Sequence, residues 1–177
     1  MKTNFYFIIF LLLILGCSKP QPRRPINPKA STTIFQDNIE TAKKMAQYED
    51  EKILDFIRKD SLKVYQNSSN GFWYTYKNKN VTDTISPKTG DVVEIEYDIR
   101  DLNDSIIYSK EELGVKTYRV DKEDFISGIQ KGIKLMKIGE TITFVIPSYN
   151  AFGITGDGNK IEMNKTIKSN VKLINIK

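Results

Sequence analysis

The chain contains no histidine and a single cysteine in 177 residues. Without histidine there is no Ser-His-Asp or Cys-His nucleophilic machinery, no imidazole metal ligand and no imidazole proton switch. One cysteine allows neither an internal disulfide nor a thiolate metal cluster. Proline is scarce where structure is expected: four of the six, Pro20, Pro22, Pro25 and Pro28, lie within a short stretch near the start. The longest apolar run, Phe5 to Leu15, falls short of the ~20 residues that a spanning helix needs. The net charge is +5, but Lys and Asp/Glu alternate closely, as in Asp121-Lys122-Glu123-Asp124. That mixed surface speaks against nucleic acid as a partner. No cofactor is expected.

The hydrophobic share, 40%, suffices for one folded domain of ordinary size. The beginning reads as an address. Lys2 supplies a positive start, the apolar run follows, and Ile14-Leu15-Gly16-Cys17 ends it with a small residue before a cysteine. This pattern resembles the bacterial lipobox and predicts a signal peptide over 1–16 with Cys17 lipidated. The expected location is the cell envelope, lipid-anchored and facing the periplasm, with the membrane as a partner; an uncleaved anchor is the other reading. Residues 17–34 are Pro-rich with no apolar stripe, which predicts a disordered tether. Phe35 to Tyr65 predicts a helical extension over 35–66. Ile39, Ala42, Ala46, Ile53 and Ile57 share a face, and Lys and Glu occupy the other. That thin stripe either packs on the following domain or docks on a partner.

Asn67 to Gly71 is a break, and residues 67–177 read as a domain of strands. Phe72 to Tyr76 is one. Val92 to Leu102 is another, with Val93, Ile95, Tyr97 and Ile99 on one side. Short strands follow at Ile106–Tyr108 and Thr117–Val120. Asp121 is placed to N-cap a helix whose apolar face is Ile126, Ile129, Ile133 and Met136, and which Gly139 closes. Thr141 to Ile146 and Thr166 to Ile176 are the last strands, joined by a polar loop. The fold class is α+β: an antiparallel sheet wrapped on one short helix, preceded by a helix and the tether.

Three stretches resemble one family. Gly90-Asp91-Val92-Val93-Glu94-Ile95-Glu96-Tyr97 resembles its strand motif G-D-x-V-x-V-x-Y. Phe125-Ile126-Ser127-Gly128-Ile129, with Gly132 and Leu135-Met136-Lys137-Ile138-Gly139-Glu140, resembles its helix and exit turn. Ile146-Pro147-Ser148-Tyr149-Asn150-Ala151-Phe152-Gly153 resembles its I-P-x-x-x-A-Y-G segment. Together they are similar to an FKBP-type peptidyl-prolyl isomerase domain, and the whole chain resembles the FKBP-like lipoproteins associated with gliding motility. The resemblance implies a prolyl isomerase acting on proline-containing segments of exported proteins. It implies Tyr97, Phe152 and Ile126 as catalytic residues, Ile126 through its backbone N–H. It implies a binding pocket of Tyr97, Ile107, Tyr108, Tyr118, Phe125, Ile126, Ile129, Phe152 and Ile161. Against the family pattern, Ile129 replaces a tryptophan, Tyr108 an aspartate and Phe152 a tyrosine. Three functional readings stay open: an isomerase, a binding or chaperone module with little turnover, and a structural part of a motility or secretion complex held through residues 35–66. The pocket side chains can also be read as ordinary core.

Overall fold

The computed structural model describes residues 32–82 and 85–177, and side chains from Phe35 onward. The signal segment, Cys17 and nearly all of the tether lie outside the described residues. The chain divides into two units, Met1–Glu40 and Thr41–Lys177. In the first, the described residues are helical, with Phe35 and Ile39 exposed. The second unit carries the fold that follows.

Helix α1 spans Thr32–Lys59. It ends six residues before the expected Tyr65, where the Asp60 N–H closes on the Phe56 carbonyl and the chain turns away. Its burial departs from the apolar stripe. Ile53 is fully buried, Ala42 is exposed, and the side chain buried one turn before Ile53 is Glu49. Gln66–Ser68, expected as helix end and break, is strand β1 and pairs with Phe72–Asn78 (β2).

The remaining elements are β3 (Val92–Tyr97), β4 (Ile99–Arg100), β5 (Ile106–Tyr108), a single helical turn α2 (Lys110–Leu113), β6 (Val115–Arg119), α3 (Ser127–Ile133), β7 (Thr141–Ile146), a 3-10 turn at Ser148–Asn150, and β8 (Ile167–Ile176). The sheet runs β1-β2-β7-β8-β3-β6, with β4 joining β5 and β8, and every pairing is antiparallel. Alternation along Val92–Ile99 holds, since Val93, Ile95, Tyr97 and Ile99 are all buried. The single long strand does not hold. It breaks at Asp98, whose carboxylate accepts from Asn170 N–H at 2.8 Å, from Asn170 Nδ2 and from Arg100 Nε. A buried carboxylate needs such donors.

Two expectations for the short helix fail. Asp121 has φ +56° and lies outside the helix, which begins at Ser127 with Ile126 at its N-cap position. The Asp121 carboxylate instead accepts from Thr89 Oγ1 at 2.5 Å and Lys134 Nζ at 2.9 Å. Gly139 does not close α3, which stops at Ile133; its N–H donates to the Leu173 carbonyl at 2.8 Å and anchors the entry to β7. The apolar face does face the core, with Ile129, Ile133 and Met136 fully buried.

Glycine decides how closely α3 lies on the sheet. A Cβ on Gly128 would fall 2.5 Å from Ile146 Cγ2, and one on Gly132 would fall 2.5 Å from Phe144 Cε1. Only hydrogen fits at those positions, so the helix backbone seats directly on β7 and brings Ile126 to the edge of the sheet. Among the described residues no helix is long and apolar enough to cross a membrane.

Candidate active site

A cavity of about 460 Å³ opens where α3 begins. Tyr97 from the end of β3 and Ile99 from β4 form one wall, and Tyr108 and Leu113 another. Phe125 and Ile126 come from the approach to α3, and Ala151, Phe152 and Asp157 from the segment after β7; Asp124 stands at the rim. The aromatic rings are stacked in order. Phe125 meets Tyr97 edge-on at 5.3 Å between centroids, and Tyr118 backs Phe125 at 4.9 Å. Edge-to-face and tilted pairs of this kind add about 0.5–1.5 kcal/mol beyond burial, which makes the aromatic wall stiff.

Of the residues expected here, Tyr97, Tyr108, Phe125, Ile126 and Phe152 line this cavity, whereas Ile107, Tyr118, Ile129 and Ile161 do not. Ile129 is fully buried between α3 and the sheet, so it is a core side chain beneath the site. Tyr118 is 1% exposed and sits behind Phe125. Its hydroxyl is buried with no hydrogen-bond partner among the described residues, and burial raises its pKa well above the ordinary tyrosine value. Ile107 packs half-buried on the core, and the buried Ile161 holds the loop that presents Asp157: its N–H donates to Asp157 Oδ1 at 2.8 Å.

Asp157 was not expected. Tyr108 donates its hydroxyl to Asp157 Oδ2 at 2.5 Å and accepts from Asn159 Nδ2 at 3.2 Å. Lys160 reaches Glu112 at 2.5 Å across the same gap. These contacts tie the 153–165 loop to the β5–α2 side of the cavity. The hydrogen bond to Asp157 raises the Tyr108 pKa above its usual value. Burial works against the Asp157 charge, but hydrogen bonds from Tyr108 and from the N–H groups of Asn159 and Ile161 outweigh it and hold the carboxyl below the ordinary range. Burial also raises the Tyr97 pKa above its ordinary value. The Gly156-Asp157-Gly158 turn composition was the only local hint of Asp157, and it marks a turn rather than a partner. Ile99, which shares its side of the strand with Tyr97, also joins the lining, as do Leu113 and Asp124, which carried no local signal.

At the head of α3 the Ile126 carbonyl accepts from Gln130 N–H at 2.9 Å, but its own N–H donates to no described residue. An aromatic-walled cavity with a backbone N–H that donates to no described residue suits a peptide carbonyl.

Comparison with known proteins decides the lineage. The family model for FKBP-type peptidyl-prolyl cis-trans isomerases matches residues 83–174, over half of the chain. The chain belongs to the FKBP-type isomerase family. It is 37% identical over 92 residues to a probable FKBP-type peptidyl-prolyl cis-trans isomerase, FkpA, of Neisseria meningitidis serogroup B, a match covering 51% of this chain. The match spans only 33% of that relative's length. A solved peptidyl-prolyl cis-trans isomerase of Pseudomonas syringae pv. tomato superposes with a TM-score of 0.60 at 21% identity, over 76% of this chain and 94% of that one. That likeness establishes the FKBP fold, and the match between residues 83 and 174 encloses every residue lining the cavity.

Proposed function

We propose that the chain is a peptidyl-prolyl cis-trans isomerase and that the cavity between Tyr97, Tyr108, Phe125, Ile126 and Phe152 is its active site. The aromatic cavity at the head of α3 carries this reading. A peptide bond resists rotation because resonance stiffens it, with a barrier of about 18–20 kcal/mol. The twisted transition state has lost that resonance, and its carbonyl is less polar. A dry aromatic cavity desolvates the planar amide at greater cost than the twisted one, so it binds the transition state preferentially. In this reading the Ile126 N–H holds a substrate carbonyl while the proline ring lies against Tyr97 and Phe125.

The sequence features outside the described residues extend the proposal. With Cys17 lipidated after removal of 1–16, the isomerase would be held at the cell-envelope membrane, where it would assist the folding of exported proteins, including parts of a gliding-motility apparatus. Acyl chains at about 0.8 kcal/mol per buried CH₂ would hold it there. Phe152 and the engaged Tyr108 hydroxyl favour a second reading, a binding module with slow turnover. With no hydroxyl on Phe152 and the Tyr108 proton committed to Asp157, the cavity has fewer free donors for a twisted carbonyl.

The deciding experiment is a prolyl-isomerisation assay on the chain from Ser18 onward, beside a Tyr97→Ala variant. Catalysis by the first and loss in the second supports the isomerase. An uncatalysed rate in both, with a proline peptide still bound by the first alone, supports the binding module. No binding by either overturns both readings.

A further inference from the structure

Glu49 lies in the second half of α1 and is 4% exposed. Its carboxylate meets both ends of one segment. Oε2 accepts from the Ser148 N–H at 2.5 Å and from Thr166 Oγ1 at 3.0 Å, and Oε1 accepts from Ser148 Oγ at 2.5 Å. No ion pair accompanies these bonds among the described residues. Ser148 starts the segment that follows β7, and Thr166 ends it, directly before β8. Between them stand Ala151, Phe152 and Asp157, all of which line the peptide cavity. The β7–β8 pairing runs to Ile146 opposite Ile167, and the carboxylate adds a side-chain clamp just beyond it, across the segment that supplies three of the ten residues lining the cavity.

The coupling continues through Ser148. Its carbonyl accepts from the Ala151 N–H and from the Gly153 N–H, each at 2.8 Å. Phe152 lies between those two amides. A line from Glu49 to Phe152 thus runs through the hydrogen bonds at Ser148. An apolar side chain beside Ile53 would avoid desolvating a carboxylate but would leave the buried Ser148 and Thr166 donors without their acceptor. Removing an ion from water costs several kcal/mol unless donors satisfy it. What the carboxylate adds is direction: charge-assisted hydrogen bonds are shorter and roughly twice as strong as neutral ones.

We infer that Glu49 is a positioning residue for the peptide cavity, which makes the helix preceding the isomerase domain a working part of the site. The inference rests on the isomerase reading for its kinetic consequence, but its geometric consequence stands apart from that reading. Glu49→Ala would remove the clamp just beyond the β7–β8 pairing and let Phe152 shift. Glu49→Gln would keep all three partners, because the amide oxygen accepts from the Ser148 N–H and Thr166 while the amide nitrogen donates to Ser148 Oγ.

The experiment uses the chain from Ser18 onward, well below its melting temperature, with two readouts. One is kcat and KM on a proline tetrapeptide; the other is hydrogen exchange at the Ala151 and Gly153 amides. The expected result for Glu49→Ala is a fall of roughly three- to tenfold in kcat/KM, carried more by KM than by kcat; small misplacements can cost up to about 100-fold. Exchange at Ala151 and Gly153 should accelerate while β3 and β8 amides stay protected. Glu49→Gln should return both readouts to within about twofold, a difference smaller than one ordinary hydrogen bond. Asp55→Asn, on the exposed side of the same helix, should change neither. If Glu49→Ala does not fold, the Ser148→Ala/Thr166→Val double variant takes its place with the same expectation. A folded variant with unchanged exchange at Ala151 and Gly153 overturns the inference. If the unsubstituted chain catalyses nothing, the isomerase reading fails, and the exchange comparison still decides whether Glu49 positions the segment.

Discussion

Gly132→Ala pits two effects of opposite sign against each other. On an exposed helix the change gains about 1 kcal/mol, because alanine loses less backbone freedom than glycine. Here the new Cβ would stand 2.5 Å from Phe144 Cε1 and 2.7 Å from Cζ. Ordinary carbon contacts are about 3.5–4.0 Å, so roughly 1 Å must be found. Phe144 cannot supply it by swinging away. It is fully buried, with Phe72 edge-on at 5.6 Å and Tyr74 at 6.5 Å. Overpacking a well-filled core costs about 1–3 kcal/mol. The overlap falls on ring atoms that cannot move, so the cost lies in the upper part of that range, and the expected net destabilisation is up to about 2 kcal/mol once the propensity gain is subtracted. That lowers Tm by roughly 2–8 °C per kcal/mol for domains of this size range. A thermal melt followed by circular dichroism reads the change, and a second variant tests its cause. Phe144→Leu alone should destabilise by removing ring contacts, but combined with Gly132→Ala the two costs should fall short of additive, since the smaller side chain makes room. Because α3 carries Ile126 at its start, lifting the helix should also weaken binding of a proline peptide. A Gly132→Ala protein that melts at or above the parent temperature would refute the reasoning, since it would mean that α3 does not lie as close to β7 as described.

Phe152→Tyr should raise isomerase turnover or leave it unchanged, because the ring is retained and the added hydroxyl enters the cavity; about 1.4 kcal/mol of better transition-state binding is tenfold in rate, and a marked fall in kcat/KM would contradict this. Tyr108→Phe should loosen the 153–165 loop and weaken peptide binding, read by titration calorimetry; unchanged affinity would show that Asp157 and Tyr108 only decorate the rim. The Asp157 pKa is depressed by its hydrogen bonds, so its stabilising contribution is complete above the unfolded carboxylate value and is lost as pH falls through the folded one. Denaturant midpoints of the parent should therefore fall more steeply below about pH 4 than those of Asp157→Asn, and parallel acid profiles would count against the pair. Cys17→Ser should abolish incorporation of labelled palmitate and release the protein from the membrane fraction; continued labelling would remove the lipoprotein assignment.

The strands and the core face of α3 could be read from residue order because their signals are local. Alternation over Val92–Tyr97 and the Ile129, Ile133, Met136 stripe repeat with the period of the backbone itself, and burial follows that period. The three motifs around Tyr97, Ile126 and Phe152 likewise keep their order and spacing, which made the family legible. Asp121 misled because an acidic residue before an apolar stripe looks like a cap. Its carboxylate was taken by Thr89, 32 positions away, and by Lys134. Ile129 and Tyr118 were expected at the cavity because motif position names a neighbour and not which way a side chain faces; close helix packing through Gly128 and Gly132 turned Ile129 into core. The partners that finish the site lie far apart in the chain, Tyr108 with Asp157 and Glu49 with Ser148 and Thr166. A polar side chain on an amphipathic helix defaults to solvent, although Glu49, three residues after Ala46 and four before Ile53, falls on the stripe's face and Glu51 does not. Only the docking of α1 against the ends of β7 and β8 put one of those carboxylates where buried hydrogen-bond donors could repay its desolvation, and left the other in water.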